Sequence, residues 1–134
     1  MHQGEPRDEY LDASNNARHF QTIRFAQPTV LISLFVALVT ILHVSKIELG
    51  SLTRTLIELF GLVATLSFWV LQERTMLFWN HFVQRAGELE EQLGFRQYST
   101  RPRPALGLLS STNAMRGIFI VLAAFWIVSL IWIP

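Results

Sequence analysis

The side chains best placed to do chemistry in this chain are an arginine and a carboxylate at the edge of an apolar run. Glu58 is the one ionisable group well inside a hydrophobic stretch, and Arg54 stands four residues before it. A carboxylate inside a membrane is by default a candidate for ion or proton handling. The spacing gives a plainer alternative, because residues four apart on a helix meet and can pair at the bilayer edge. Gly61, Thr65 and Gln72 continue the same face. Gly61 and Thr65 form a small-xxx-small pair that lets two helices approach closely, and Gln72 offers a carboxamide either to a polar mouth or to headgroups. Other chemistry finds little support. The four histidines, His2, His19, His43 and His81, show no ligand spacing, and cysteine is absent, so neither a metal nor a cofactor is expected. No phosphate loop, nucleophile elbow or zinc-protease motif occurs, and no enzyme activity is expected.

The elements that carry these residues follow from hydropathy. Half of the 134 residues are hydrophobic and only 16% are charged. The apolar residues are clumped, with no charge in residues 30–44, 59–71 or 118–134. A bilayer core about 30 Å thick needs roughly 20 helical residues. Three membrane-spanning helices are therefore expected, at about residues 26–44, 54–73 and 115–133. The expected fold is an all-α membrane protein with three transmembrane helices, the second extended into a cytosolic amphipathic helix.

Four segments follow. Residues 1–16 are polar, carry Gly4, Pro6 and an Asn15-Asn16 pair, and are expected to be mobile. Residues 17–94 hold an amphipathic lead-in, a transmembrane hairpin and the cytosolic extension. Pro28 either opens a new helix or kinks a longer one. Residues 95–113 form a basic, proline-containing loop, and residues 114–134 hold the third span. The first apolar run follows a polar stretch without a basic leader or a small-residue cleavage site, so it is not read as a signal peptide.

From Arg54 onward, steps of four and three trace one stripe through Glu58, Gly61, Thr65, Phe68, Gln72, Thr75, Trp79, Phe82, Ala86, Leu89 and Leu93. The stripe is small and polar where the surroundings are apolar, and apolar where they are polar. One continuous helix with an inward face along its whole length explains this inversion. Ser33, Ala37 and Thr40 of the first span are its expected partner within the membrane. Trp79, Phe82, Ala86, Leu89 and Leu93 form an assembly surface beyond it, to be covered by the lead-in, by other copies or by a soluble partner. Gly94 is the expected end of the helix, and Ser110, Ser111, Thr112 and Asn113 offer caps for the last span.

Nine of the eleven Lys and Arg residues fall on one side if the N-terminus is cytoplasmic, which sets the expected orientation in a cell inner membrane. Arg96, Arg101, Arg103 and Arg116 form a basic cluster suited to anionic headgroups, at about 1 kcal/mol per charge. The cluster is small and acidic residues lie close, so nucleic acid is not an expected partner.

A hairpin whose second helix runs into Arg85-Ala-Gly-Glu-Leu-Glu-Glu-Gln-Leu-Gly94 resembles the small SLATT-type bacterial membrane proteins over residues 17–94. The resemblance is mainly architectural and carries over no functional residue. It implies an effector of anti-phage systems that breaches the membrane once a partner senses infection. The leading expectation is thus a homo-oligomer in the lipid bilayer that forms a pore or perturbs the membrane, controlled through its cytosolic helix by a soluble regulator. A non-conducting anchor that docks a soluble partner is the alternative. An accessory subunit of a transporter or respiratory complex is a third.

Overall fold

A computed structural model describes residues 5–44, 48–100 and 110–132. The chain is all-α. Helix α1 runs Pro6–Val39 and passes into a five-residue π-helical turn, Thr40–Val44; α2 runs Ser51–Leu93 and α3 runs Ser111–Trp132. No strand occurs among the described residues. All three helices are long and apolar enough to cross a membrane. At 1.5 Å per residue the 43 residues of α2 exceed a hydrocarbon core about twofold, so much of the helix lies beyond any one crossing.

Local chemistry sets the ends. Pro6 occupies the first turn of α1, where its missing N–H costs nothing, and the Glu5 carbonyl accepts from Asp8 N at 2.9 Å. Asp8 and Glu9 complement the helix dipole in that turn. Residues 6–16 are therefore helical, which corrects the expectation of a mobile N-terminal segment. Proline starts the helix here instead of breaking it. Tyr10, Ala13 and Ala17, at spacings of three and four, are buried, while Asn15 and Asn16 lie on the exposed face. The helix also continues through Pro28, so the lead-in and the first span are one element.

Helix α2 begins at Ser51, three residues earlier than expected, with Arg54 N bonded to the Gly50 carbonyl at 3.1 Å. It stops where expected. Gly94 has φ of +75°, a left-handed conformation that glycine adopts without penalty, and Phe95 N reaches back to the Glu90 carbonyl at 3.1 Å. Ser110 caps α3: its hydroxyl accepts from Asn113 N at 3.2 Å and its carbonyl from Ala114 N at 3.1 Å. Each expected span falls within one helical element over its described residues, and the first two helices extend well beyond their spans. The part of the expected third span at 133–134 and the loop at 101–109 lie outside the described residues.

The chain packs as two units. One, the hairpin unit, comprises the described residues of Met1–Phe25 and Gln72–Ala105; the other, the span unit, those of Ala26–Leu71 and Leu106–Pro134. The core of the hairpin unit is Tyr10, Ala13, Ala86 and Leu89, flanked by Leu93 and Tyr98. The core of the span unit is Leu31, Phe119 and Leu122, flanked by Phe35, Phe68 and Trp69.

Candidate functional site

Every member of the α2 stripe is buried or half-buried. The residues that cover it are partly those expected and partly not.

In the span unit, the cover is α3. Ser129 donates its hydroxyl to Glu58 Oε1 at 2.7 Å, and Arg54 Nε lies 3.4 Å from the same oxygen. Glu58 is 2% exposed and Ser129 equally so, whereas the Arg54 side chain remains a quarter exposed. One helical turn further on, Gly61 faces Trp126. A methyl group placed on Gly61 would lie 2.5 Å from the indole carbons Cε2 and Cζ2. Glycine is therefore required there for the close approach of α2 and α3. Thr65 is wholly buried and returns its hydroxyl to the Gly61 carbonyl at 2.8 Å. Around this contact Phe35 meets Trp126 edge to face at 5.4 Å, and Trp69 stacks on Phe119 at 6.2 Å.

This corrects the expected partner of the stripe. Ser33 and Thr40 bond their own preceding turns, at the Thr29 and Val36 carbonyls, and both they and Ala37 are exposed. Their hydroxyls are already used locally, while the cleft opened by Gly61 accepts an indole that only α3 supplies. Trp126 and Ser129 are not among the residues expected at the site from the sequence. The signal lay in the spacing of Phe119, Leu122, Ala123, Trp126 and Ser129, which places one serine on the buried face of an otherwise apolar helix.

In the hairpin unit, the first half of α1 covers α2. Phe20 stacks on Phe78 and Phe82 at 5.5 and 5.6 Å, and the Arg24 guanidinium lies 5.3 Å from the Trp79 ring centre. The assembly residues Phe82, Ala86, Leu89 and Leu93 are thus covered by the chain's own N-terminal helix. Gln72 is 3% exposed, and neither the oxygen nor the nitrogen of its carboxamide has a hydrogen-bond partner among the described residues. An unsatisfied buried amide costs about 1–3 kcal/mol and calls for an explanation.

The most heavily bonded side chain among the described residues is Glu90, to which the sequence assigns no role of its own. It is fully buried. Oε1 accepts from Gln97 N and Tyr98 N, both at 2.9 Å, and from the Tyr10 hydroxyl at 3.2 Å. Oε2 accepts from Tyr98 N at 2.8 Å and Ser99 N at 2.9 Å. Burial alone would raise its pKa, but the amide and phenol donors outweigh burial and hold it below the usual carboxylate value. The Tyr10 hydroxyl is pushed up, first by burial and then by its bond to Glu90. Tyr98 adds a 3.1 Å contact to the Ser14 hydroxyl, and Arg85 bridges Glu9 and Glu88 on the surface at 2.5 and 3.1 Å.

The basic cluster is described only in part. Arg96 is exposed and follows the end of α2, Arg116 lies in the first turns of α3, and Arg101 and Arg103 lie outside the described residues. Among the described residues no three His, Asp or Glu side chains come together as a metal site. Searches against protein-family models, curated proteins and solved structures give no match to this chain.

Proposed function

We propose that this chain is a non-enzymatic, multi-pass inner-membrane protein that perturbs the bilayer when its α2 seam is uncovered, and that the arrangement described is its closed state. The observation that carries this reading is Glu58, a carboxylate buried in an apolar span and held by a serine of another span. A helix needing only to anchor would not carry a group so costly in hydrocarbon. Gln72 adds a second polar group on the same face. Withdrawal of α3 would expose Glu58, Gly61 and Thr65, and copies would then pair through that face as a homo-oligomer. The hairpin unit, read as cytoplasmic from the basic residues, would receive the trigger from a soluble regulator. The resemblance to SLATT-type effectors supports the same reading and an origin in bacterial anti-phage defence.

The test is dye release from vesicles holding the purified protein, read together with particle size. Ser129→Ala and Trp126→Leu are expected to raise both release and assembly above wild type. Release that stays at the lipid-only level for all three proteins would sink the effector reading.

A groove in the hairpin unit favours a second reading, a non-conducting adaptor. Glu9, Asp12, His81, Phe82, Arg85 and Glu88 line it, combining charge with an aromatic floor. Loss of a co-purifying soluble protein on Asp12→Lys, with no vesicle leakage from any variant, would support it.

A further inference from the structure

The hairpin unit exposes large apolar side chains beside a cation. On α2, Leu77 is 71% exposed and Phe78 is 41% exposed; on α1, Phe25 is 50% exposed. In the sequence these residues follow the apolar run of the second span and precede that of the first, each within about two helical turns of it. Phe78 is not loose: it stacks on Phe20 at 13° between ring planes. Arg74, one turn before it, lies with its guanidinium 5.8 Å from the Phe78 ring centre. Arg74 is exposed, and among the described residues it has no ion pair and no hydrogen bond.

An exposed leucine and phenylalanine are unfavourable in water and favourable at the level of lipid headgroups and upper acyl chains, where long basic side chains carry their charge outward. Arginine at that level meets phosphate, and its planar fork binds phosphate in two bonds at once. We propose that Arg74, Leu77 and Phe78 form a binding site for an anionic phospholipid, with Arg74 on the phosphate and the two apolar side chains in the interface. This adds a headgroup contact, at the point where α2 leaves the apolar run, to the one expected of the arginines at 96–116. It depends on the membrane spans and not on the effector reading.

The absence of cysteine makes the test direct, since each single cysteine introduced is the sole labelling site. A spin label at Leu77→Cys, in vesicles of phosphatidylcholine with phosphatidylglycerol, is expected to lie at headgroup depth. Labels at Val63→Cys and Glu88→Cys give the hydrocarbon and water limits. In parallel, the ratio of phosphatidylglycerol to phosphatidylcholine retained by the purified protein is expected to fall about fivefold in Arg74→Gln, and less in Arg74→Lys. An Arg85→Gln control should leave the ratio unchanged. A label at position 77 that is as water-accessible as one at 88, or that is shielded from both polar and apolar relaxants by a second copy, would overturn the proposal. So would lipid retention indifferent to Arg74→Gln.

Discussion

At the scale of the residue, Gly61 and Ser129 decide how closely α2 and α3 meet. The indole of Trp126 fills the space that a side chain on Gly61 would need, and a rigid bicyclic ring cannot fold away as a methionine can. Gly61→Ala is expected to destabilise the span unit by about 1–3 kcal/mol through overpacking, seen as a lower midpoint in detergent unfolding. Trp126→Ala acts in the opposite sense. It leaves a cavity at a side chain only 1% exposed and is expected to cost about 3–5 kcal/mol. In the double variant the two penalties should not add, because the methyl group on residue 61 enters space that the indole has vacated. Ser129→Ala removes one of the two donors that Glu58 has among the described residues and is expected to cost about 1–2 kcal/mol, since interhelical hydrogen bonds in membranes contribute modestly.

At the scale of the element, the end of α2 and the start of α1 are joined through one carboxylate. Glu90 accepts from three consecutive backbone amides and from Tyr10, so it fixes both the turn after Gly94 and the N-terminal helix. Its folded pKa is depressed, so its contribution is present above the unfolded carboxylate pKa and is lost as pH falls through the folded value. Tyr10 has a raised folded pKa, so its contribution is present below the unfolded phenol value and is lost as pH rises through the folded one. The stability of the hairpin unit should therefore show a plateau between an acid limb and an alkaline limb. Glu90→Gln should flatten the acid limb and cost about 1.5–3 kcal/mol at neutral pH, because an amide nitrogen would face backbone donors. Tyr10→Phe should remove much of the alkaline limb while keeping the ring contacts with Phe95 and Tyr98. Amide exchange of Gln97, Tyr98 and Ser99 across pH checks both. Little of this clasp was legible in the sequence. Glu90 reads as one of three wet glutamates near a helix end, and only the left-handed turn at Gly94 brings the following amides back onto it. The N-terminal helix was obscured by its small residues, since Ala13, Ser14 and Ala17 add little to a hydropathy sum yet permit the closest packing.

At the scale of the whole molecule, hydropathy and period were the legible part. Apolar runs long enough for a bilayer locate all three spans, and the three-four stripe identifies the inward face of α2 along its full length. Which segment covers the span-unit half of that face depends on the fit of Trp126 to Gly61, a matter of shape that composition does not encode. Orientation rests on charge alone, and the two loops make it testable. Lys46 and Arg54 are the only basic residues around the first connection, against nine elsewhere. The positive-inside rule then puts Ser51 outside and Glu88 in the cytoplasm. In a chain without cysteine, Ser51→Cys and Glu88→Cys each supply one exposed thiol. A membrane-impermeant maleimide added to intact spheroplasts is expected to label position 51 and to spare position 88 until the cells are opened. Adding lysines to the first connection should weaken this asymmetry and, with enough of them, invert it. The reverse labelling pattern in the unmodified background would place the hairpin unit outside the cell, where a cytoplasmic regulator could not reach it.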